Sequence, residues 1–124
     1  MKDIVLSITT SAGGAATVSA PSSVLGKLYA IAYIPGTLAT GATLTLTCDG
    51  PSASSKPLLI KASAGTANSW YYPRDLVHGV ADGVALTGTA GGDRVCPLLA
   101  GKPKVVVSAG GAEASGTLIL YYEA

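Results

Sequence analysis

The final third of the chain alternates β-branched and apolar residues with polar or small ones on both sides of a glycine-rich break: Lys104 Val105 Val106 Val107 Ser108 Ala109, then Gly110 Gly111 Ala112 Glu113, then Gly116 Thr117 Leu118 Ile119 Leu120 Tyr121 Tyr122 Glu123. Two such runs around a turn predict a β-hairpin. The same grammar recurs from end to end, with period-2 stretches separated by Gly, Pro, Ser and Asn at the intervals expected of an all-β sandwich or barrel. The pattern predicts strands near 2–10, 15–20, 26–34, 42–48, 57–63, 68–72, 84–88, 93–97, 103–109 and 115–123. With nearly every segment committed to sheet, few residues remain for chemistry.

Two strands show their faces in the sequence. In Leu28 Tyr29 Ala30 Ile31 Ala32 Tyr33 Ile34 both faces are apolar, as in a central strand covered on each side. In Ala42 Thr43 Leu44 Thr45 Leu46 Thr47 Cys48, the residues Leu44, Leu46 and Cys48 face one way and the three threonines the other, the pattern of a half-buried antiparallel strand. Between them Pro35 Gly36 Thr37 Leu38 Ala39 Thr40 Gly41 supplies a rigid corner. Asp49–Lys56 reads as a polar loop and Ser11–Gly14 as a short turn, neither long enough to link two domains. The expectation is one domain over residues 1–124, an antiparallel β-sandwich of jelly-roll type. Its expected core is Leu28, Ile31, Ile34, Leu44, Leu46, Leu59, Leu86, Val106, Leu118 and Leu120.

A chain of 124 residues buries about two-thirds of its unfolded surface, so it folds without staples. Charged residues make up only 12%, about half the usual share, and the formal charge is +1. Such a surface is either covered by a partner or built of neutral Ser, Thr, Ala and Gly, and both fit a member of a larger assembly. The eight Lys and Arg are scattered and nearly matched by seven Asp and Glu, which gives no footprint for nucleic acid. The N-terminal run Met1–Thr10 passes at once into strand alternation and is not expected to be a signal peptide, and no apolar run approaches the length of a membrane span. A cytoplasmic site of synthesis is expected, where Cys48 and Cys96 read as buried thiols in strands or as a disulfide formed later in an oxidising exterior. Their spacing fits no metal motif, and no cofactor is expected.

Catalysis finds little support. His78, the single histidine, lies in Pro73 Arg74 Asp75 Leu76 Val77 His78 Gly79 without a Gly-x-Ser-x-Gly elbow anywhere in the chain. The carboxylates Asp49, Asp75, Asp82, Asp93, Glu113 and Glu123 fall in or beside predicted turns, where turn geometry alone accounts for Asp. The glycine-rich Ala90–Arg94 and Ala109–Ala112 lack the helix that a phosphate loop requires. The sharpest local feature is Trp70 Tyr71 Tyr72 Pro73 Arg74, which gathers the only Trp, two of six Tyr and an Arg. Those residue types are enriched at interface hot spots, stacked aromatics also hold sugars, and a core aromatic cluster closed by a Pro turn is the third reading.

The runs Gly26 Lys27 Leu28 Tyr29 Ala30 Ile31 Ala32 Tyr33 Ile34 Pro35 Gly36, Thr43 Leu44 Thr45 Leu46, Trp70–Arg74, Gly101 Lys102 Pro103 Lys104 Val105 Val106 Val107 and Gly116 Thr117 Leu118 together resemble small β proteins encoded among the head genes of tailed bacteriophages. The chain looks most like a capsid decoration, or cement, protein. That resemblance implies a β-sandwich that binds the major capsid protein as a dimer or trimer, sits on the virion surface and has no enzymatic activity. Neck, tail and head-fibre proteins share this style, and a carbohydrate-binding β-sandwich is the alternative from another class. The contact residues expected are Trp70, Tyr71, Tyr72 and Arg74, with Lys2, Ile4 and Leu6 in an N-terminal strand donated to a neighbour.

Overall fold

Alternating apolar residues extend the backbone because each strand gains by burying one face. The computed structural model describes residues 1–49, 55–76 and 94–123, and these form strands with no helix among them. The strands are β1 (Lys2–Thr9), β2 (Ala16–Ser19), β3 (Val24–Ile34), β4 (Thr43–Asp49), β5 (Ser55–Lys61), β6 (Ser69–Tyr71), β7 (Asp75–Leu76), β8 (Arg94–Val95), β9 (Leu98–Ser108) and β10 (Ser115–Glu123). All-β character is therefore as expected. The strand expected at 84–88 lies outside the described residues, as does the core candidate Leu86. β9 begins five residues earlier than the pattern of valines indicated.

Eight strands join into one open antiparallel sheet in the order β1-β10-β3-β9-β4-β5, with β2 on β9 and β6 on β3, while β7 and β8 form a separate two-stranded ladder. β9 holds the sheet together. Its first residues pair with the start of β3, Val24 opposite Gly101 through Lys27 opposite Leu98, and its later residues pair with β4 and β2. A jelly-roll sandwich asks for two separate sheets, whereas here one strand belongs to both halves. Inward side chains from both halves meet in one hydrophobic cluster, with Leu6, Leu28, Ile31, Tyr33, Leu118 and Leu120 from one side and Leu44, Leu46, Val105 and Val107 from the other.

The C-terminal hairpin expected from the sequence does not form. β10 pairs with β1 and β3, β9 pairs with β2, β3 and β4, and the two are not neighbours. Both strands have an apolar face, and burial is satisfied as well by facing across the core as by lying side by side. The segment between them crosses from one half to the other, with Ala109, Gly111 and Glu113 at positive φ. The Ser11–Gly14 and Pro35–Ala42 connections cross in the same way, since β1 pairs with β10 but β2 with β9, and β3 does not pair with β4. Of the expected turns, β4 to β5 connects true hydrogen-bonded neighbours.

The three crossings brace one another. The Ala39 amide donates to Gly110 O at 2.9 Å, Gly110 N–H to Gly14 O at 2.9 Å, and Thr10 N–H to Ala114 O at 2.8 Å. Thr10 is the only buried polar residue of the core among the described residues. Its hydroxyl donates to Gly111 O at 2.6 Å and accepts the Ala114 amide at 2.8 Å, pinning the end of β1 to the last crossing. Thr37 does the same from the second crossing, donating its amide to Ser115 O and accepting the Ser115 amide on Oγ1, both at 2.8 Å.

Two expected core residues face outward. Ile34 is 39% and Val106 37% exposed. In a run of three valines parity alone cannot choose a face, and Val105 and Val107 took the inner one. On β3 the register shifts beside Tyr29, where Ala30 opposes Tyr121 and Leu28 opposes Tyr122. This bulge changes the inward set from Gly26 and Leu28 to Ile31 and Tyr33, which leaves Ile34 outside. Leu59 is half-buried against the core. Cys48 and Cys96 are not joined in a disulfide.

Thr10→Val strands the Ala114 amide and should lower unfolding free energy by about 1–3 kcal/mol in urea titration, with the slope unchanged. Gly36 combines φ of 56° with a would-be Cβ that runs into the Ser115 carbonyl, whereas Gly65, at φ 83°, has nothing within 4 Å of that position. Gly36→Ala should therefore cost more than Gly65→Ala, with about 1 kcal/mol expected for the latter.

Candidate functional site

The outward face of β1, β10, β3 and β6 carries an apolar row, bordered by Ser7 and Thr117 on one side and by Asp3 on the other. Register places Val5 opposite Ile119, Ile119 opposite Ala32, and Ala32 opposite Trp70, one apolar row across four strands. The next row runs Asp3, Tyr121, Ala30. Because of the bulge, Tyr29 also leaves the inward series and sits beside Ala30. The other half of the sheet is a contrast within the same protein. Its outward row, Thr17 opposite Val106 opposite Thr45 opposite Ile60, alternates with Ser19, Lys104 and Thr47. Lys104 there reaches Asp49 at 3.1 Å.

Trp70 is 54% exposed and stacks on Tyr121, ring centroids 5.6 Å apart and planes 23° from parallel. Trp70 stands directly opposite the small Ala32, an outward residue that is nonetheless buried. Tyr72, at 62% exposure, continues the surface, and Arg74 closes it. The Arg74 guanidinium donates through one nitrogen to Tyr29 O at 3.0 Å and Pro73 O at 2.6 Å, which fixes the residues after β6 against the bulge. Between these groups and Met1 lies an open groove of about 400 Å³ floored by Ala30. A second shallow groove of about 690 Å³ adjoins it through Tyr29, lined by Leu25, Leu98, Lys27 and Glu123.

The structure sorts the expected contact residues. Trp70, Tyr72 and Arg74 come together on the surface. Tyr71 does not join them, because it alternates to the inner side of β6, opposite Ile31, and packs against the core. Lys2 is exposed, Ile4 packs against the core, and Leu6 is 1% exposed, inside it. β1 pairs with β10 of its own chain from Lys2 to Thr9, so within the single chain it is an integral strand of the sheet. Residues that composition did not single out complete the face: Val5, Tyr29, Tyr121, Leu25 and Leu98. Period-2 parity marks Val5 and Tyr121 as outward once Leu6 and Leu120 are assigned inward, but Tyr29 depends on a bulge.

His78, Asp82, Asp93 and most of the Ala90–Arg94 run lie outside the described residues. Among the described residues no group of three His, Cys, Asp or Glu is placed to hold a metal ion, and no helix is long and apolar enough to cross a membrane. No protein-family model, curated protein or solved structure matches the chain.

Two tyrosines have altered acidity. The Tyr29 hydroxyl donates to the Glu123 carboxylate, and that bond, with the carboxylate's charge, raises its pKa above 10.0. Burial does the same for Tyr33, whose fully enclosed hydroxyl has no hydrogen-bond partner. A folded state that holds these protons more tightly than the unfolded chain has stability that is fully present below about pH 10 and declines as pH rises past it. Tyrosinate absorbance should therefore show at least two of six tyrosines titrating late, and Glu123→Gln should bring Tyr29 back toward 10.0 while leaving Tyr33 in place.

Proposed function

We propose that this protein is a non-catalytic structural component that works by docking its outward aromatic face in a larger assembly. The apolar row Val5–Ile119–Ala32–Trp70, continued by the exposed Tyr72 and by the Trp70–Tyr121 stack, where the corresponding row of the opposite half alternates threonine with Val106 and Ile60, is the observation that carries the reading. Exposed apolar patches of this extent, rimmed by polar groups, mark interaction sites. The resemblance of the chain to phage head proteins supports a decoration protein that binds the major capsid protein and stabilises the expanded head. Its mechanism is then mass action, since a ligand that prefers the assembled shell to separated subunits stabilises the shell, and identical contacts repeated over a symmetric surface add through avidity.

A sugar-binding module is the second reading, favoured by the flat Trp70–Tyr121 stack. Against it, the groove surface is almost entirely apolar, and the Tyr29 hydroxyl and the Arg74 guanidinium are already engaged, by Glu123 and by two backbone carbonyls. Sugar hydroxyls need more partners than that.

Quantitative mass spectrometry of purified phage particles tests the first reading. Copies comparable with the major capsid protein are expected, and Trp70→Ala with Arg74→Ala should reduce occupancy at least tenfold while the fold persists. Copies equal to a single ring would move the protein to the neck or tail. Absence from particles, with quenching of the single Trp on adding glycans, would replace the proposal by the sugar-binding one.

A further inference from the structure

Among the described residues β1 presents an open edge from Lys2 to Thr9, because it pairs with β10 alone. We propose that this edge takes up an extended segment of another protein as an added antiparallel strand, with an aliphatic side chain of that segment seated in a recess at the start of β1. The contact is separate from the aromatic face and stands without it.

Parity decides which backbone groups are open. The Thr10 amide donates to Ala114 O at 2.8 Å, and the register continues from there with Ile8 opposite Gly116 and Leu6 opposite Leu118. In an antiparallel pair, residues that exchange hydrogen bonds alternate with residues that do not. The even residues of β1 therefore bond to β10, while Asp3, Val5, Ser7 and Thr9 turn their N–H and C=O groups away from it. These groups have no partner among the described residues. They form half of a ladder, and the other half is supplied by an extended backbone.

The other edges of the main sheet are guarded. β5 closes its far end with Pro57 near the middle, Lys56 and Lys61 towards the ends, and a register shift against β4 between Leu46 and Thr47. β2 is four residues long and β6 three. Proline, lysine, bulges and shortness are the devices that keep an edge from pairing. β1 runs eight residues, and after Lys2 and Asp3 it has no charge, no proline and no register shift against β10.

A recess of about 320 Å³ lies on the same edge, lined by residues 3–5 of β1, by Tyr122, and by Ala20, Pro21, Ser22 and Val24 on the way from β2 into β3. Consecutive strand residues point to opposite faces, so a recess that touches Asp3, Ile4 and Val5 together runs along the strand's edge. In an added strand the residue opposite Ile4 points inward, towards Tyr122 and Val24, and its neighbours point outward beside Asp3 and Val5. An aliphatic side chain suits the first place, and a lysine or arginine the place opposite the exposed Asp3.

The recess also selects the kind of partner. In a second copy of this chain, Ile4, Leu6 and Ile8 of β1 are committed to that copy's own core, which leaves no inward side chain for the recess. A tail or linker that is unpacked when free has side chains available on both faces.

The probe is a fluorescent, capped seven-residue peptide that alternates threonine and valine and ends in leucine and lysine, which places leucine opposite Ile4 and lysine opposite Asp3. Titrated with the full chain, it should bind saturably, one to one, by anisotropy. Amide hydrogen exchange at Asp3, Val5, Ser7 and Thr9 should slow by about tenfold or more, while Leu6 and Ile8, already bonded to β10, change little. N-methylation of the peptide at its threonine amides, which face β1, should abolish binding, and N-methylation at its valines should not. Ser7→Pro removes an N–H that β10 does not use, so the urea midpoint should persist while affinity for the peptide falls about tenfold or more. Asp3→Lys should weaken binding about threefold, and replacing the peptide's lysine by glutamate should restore it. Failure of the peptide to bind, or binding indifferent to the position of the N-methyl groups, overturns the inference. Edge amides that exchange slowly in the free chain at every concentration also overturn it, since the chain then fills its own edge. Slowing that grows with concentration, with a doubled mass by light scattering, makes a second copy the occupant and overturns it too.

Discussion

The hydrogen bonds that tie the three chain crossings together decide which strands become neighbours. Ala39 to Gly110, Gly110 to Gly14 and Thr10 to Ala114 form a continuous brace at one end of the sheet. With the crossings locked, β1 and β10 fall on one half, β2 and the later part of β9 on the other, and their apolar faces are left pointing at each other. The brace demands close approach of backbone to backbone. A Cβ on Gly110 would sit 3.0 Å from Thr10 Cγ2, and one on Gly14 would sit 3.2 Å from the Gly111 amide nitrogen. Glycines that read as turn residues in the sequence thus serve as packing surfaces between turns. Long-range pairing of this kind also makes folding depend on contacts distant in the chain, such as Thr10 with Ala114.

A bulge on β3 links this scaffold to the aromatic face proposed for docking. By adding one residue opposite the Tyr121–Tyr122 step, it keeps Leu28 and Ile31 in the core although they are three apart, and it sends Tyr29 and Ala30 out together. Tyr29 then meets Glu123 through its hydroxyl and Arg74 through its carbonyl, so the strand ends and the chain after β6 converge on one spot. The alanines at 30 and 32 provide the floor on which Trp70 and Tyr121 stack. Larger side chains there would lift the aromatic rings and close the groove.

Much of the strand inventory was legible in the sequence, because period-2 burial depends only on neighbours two apart. Leu44, Leu46 and Cys48 inward with Thr43, Thr45 and Thr47 outward is how β4 lies, and Leu28, Ile31, Leu118 and Leu120 are core as read. Two things escaped. Val106 and Ile34 were assigned inward because an all-apolar run contains no parity, and a bulge resets whatever parity there is. The hairpin at 104–123 was expected because a glycine-rich break between two apolar strands looks the same whether the strands pair or arch across a core. Of the proposed interaction surface, Trp70, Tyr72 and Arg74 stood out by residue type, while Tyr71 was grouped with them only by adjacency.

The sequence by itself determined that the chain is β, where most strands lie and which short segment gathers Trp70 with two tyrosines and an arginine, since each of these follows from local alternation and local composition. Tertiary structure alone decided that β9 would serve both halves of one open sheet, that β1 would be pinned beside β10, and that Val5, Ile119, Ala32 and Trp70 would line up in a row. Those outcomes rest on hydrogen-bond register between segments as much as 120 residues apart, as Lys2 and Tyr122 are. Register is set where strands meet, by the crossings that bring them together and the bulge that shifts them, and a one-residue change in it turns a buried face outward.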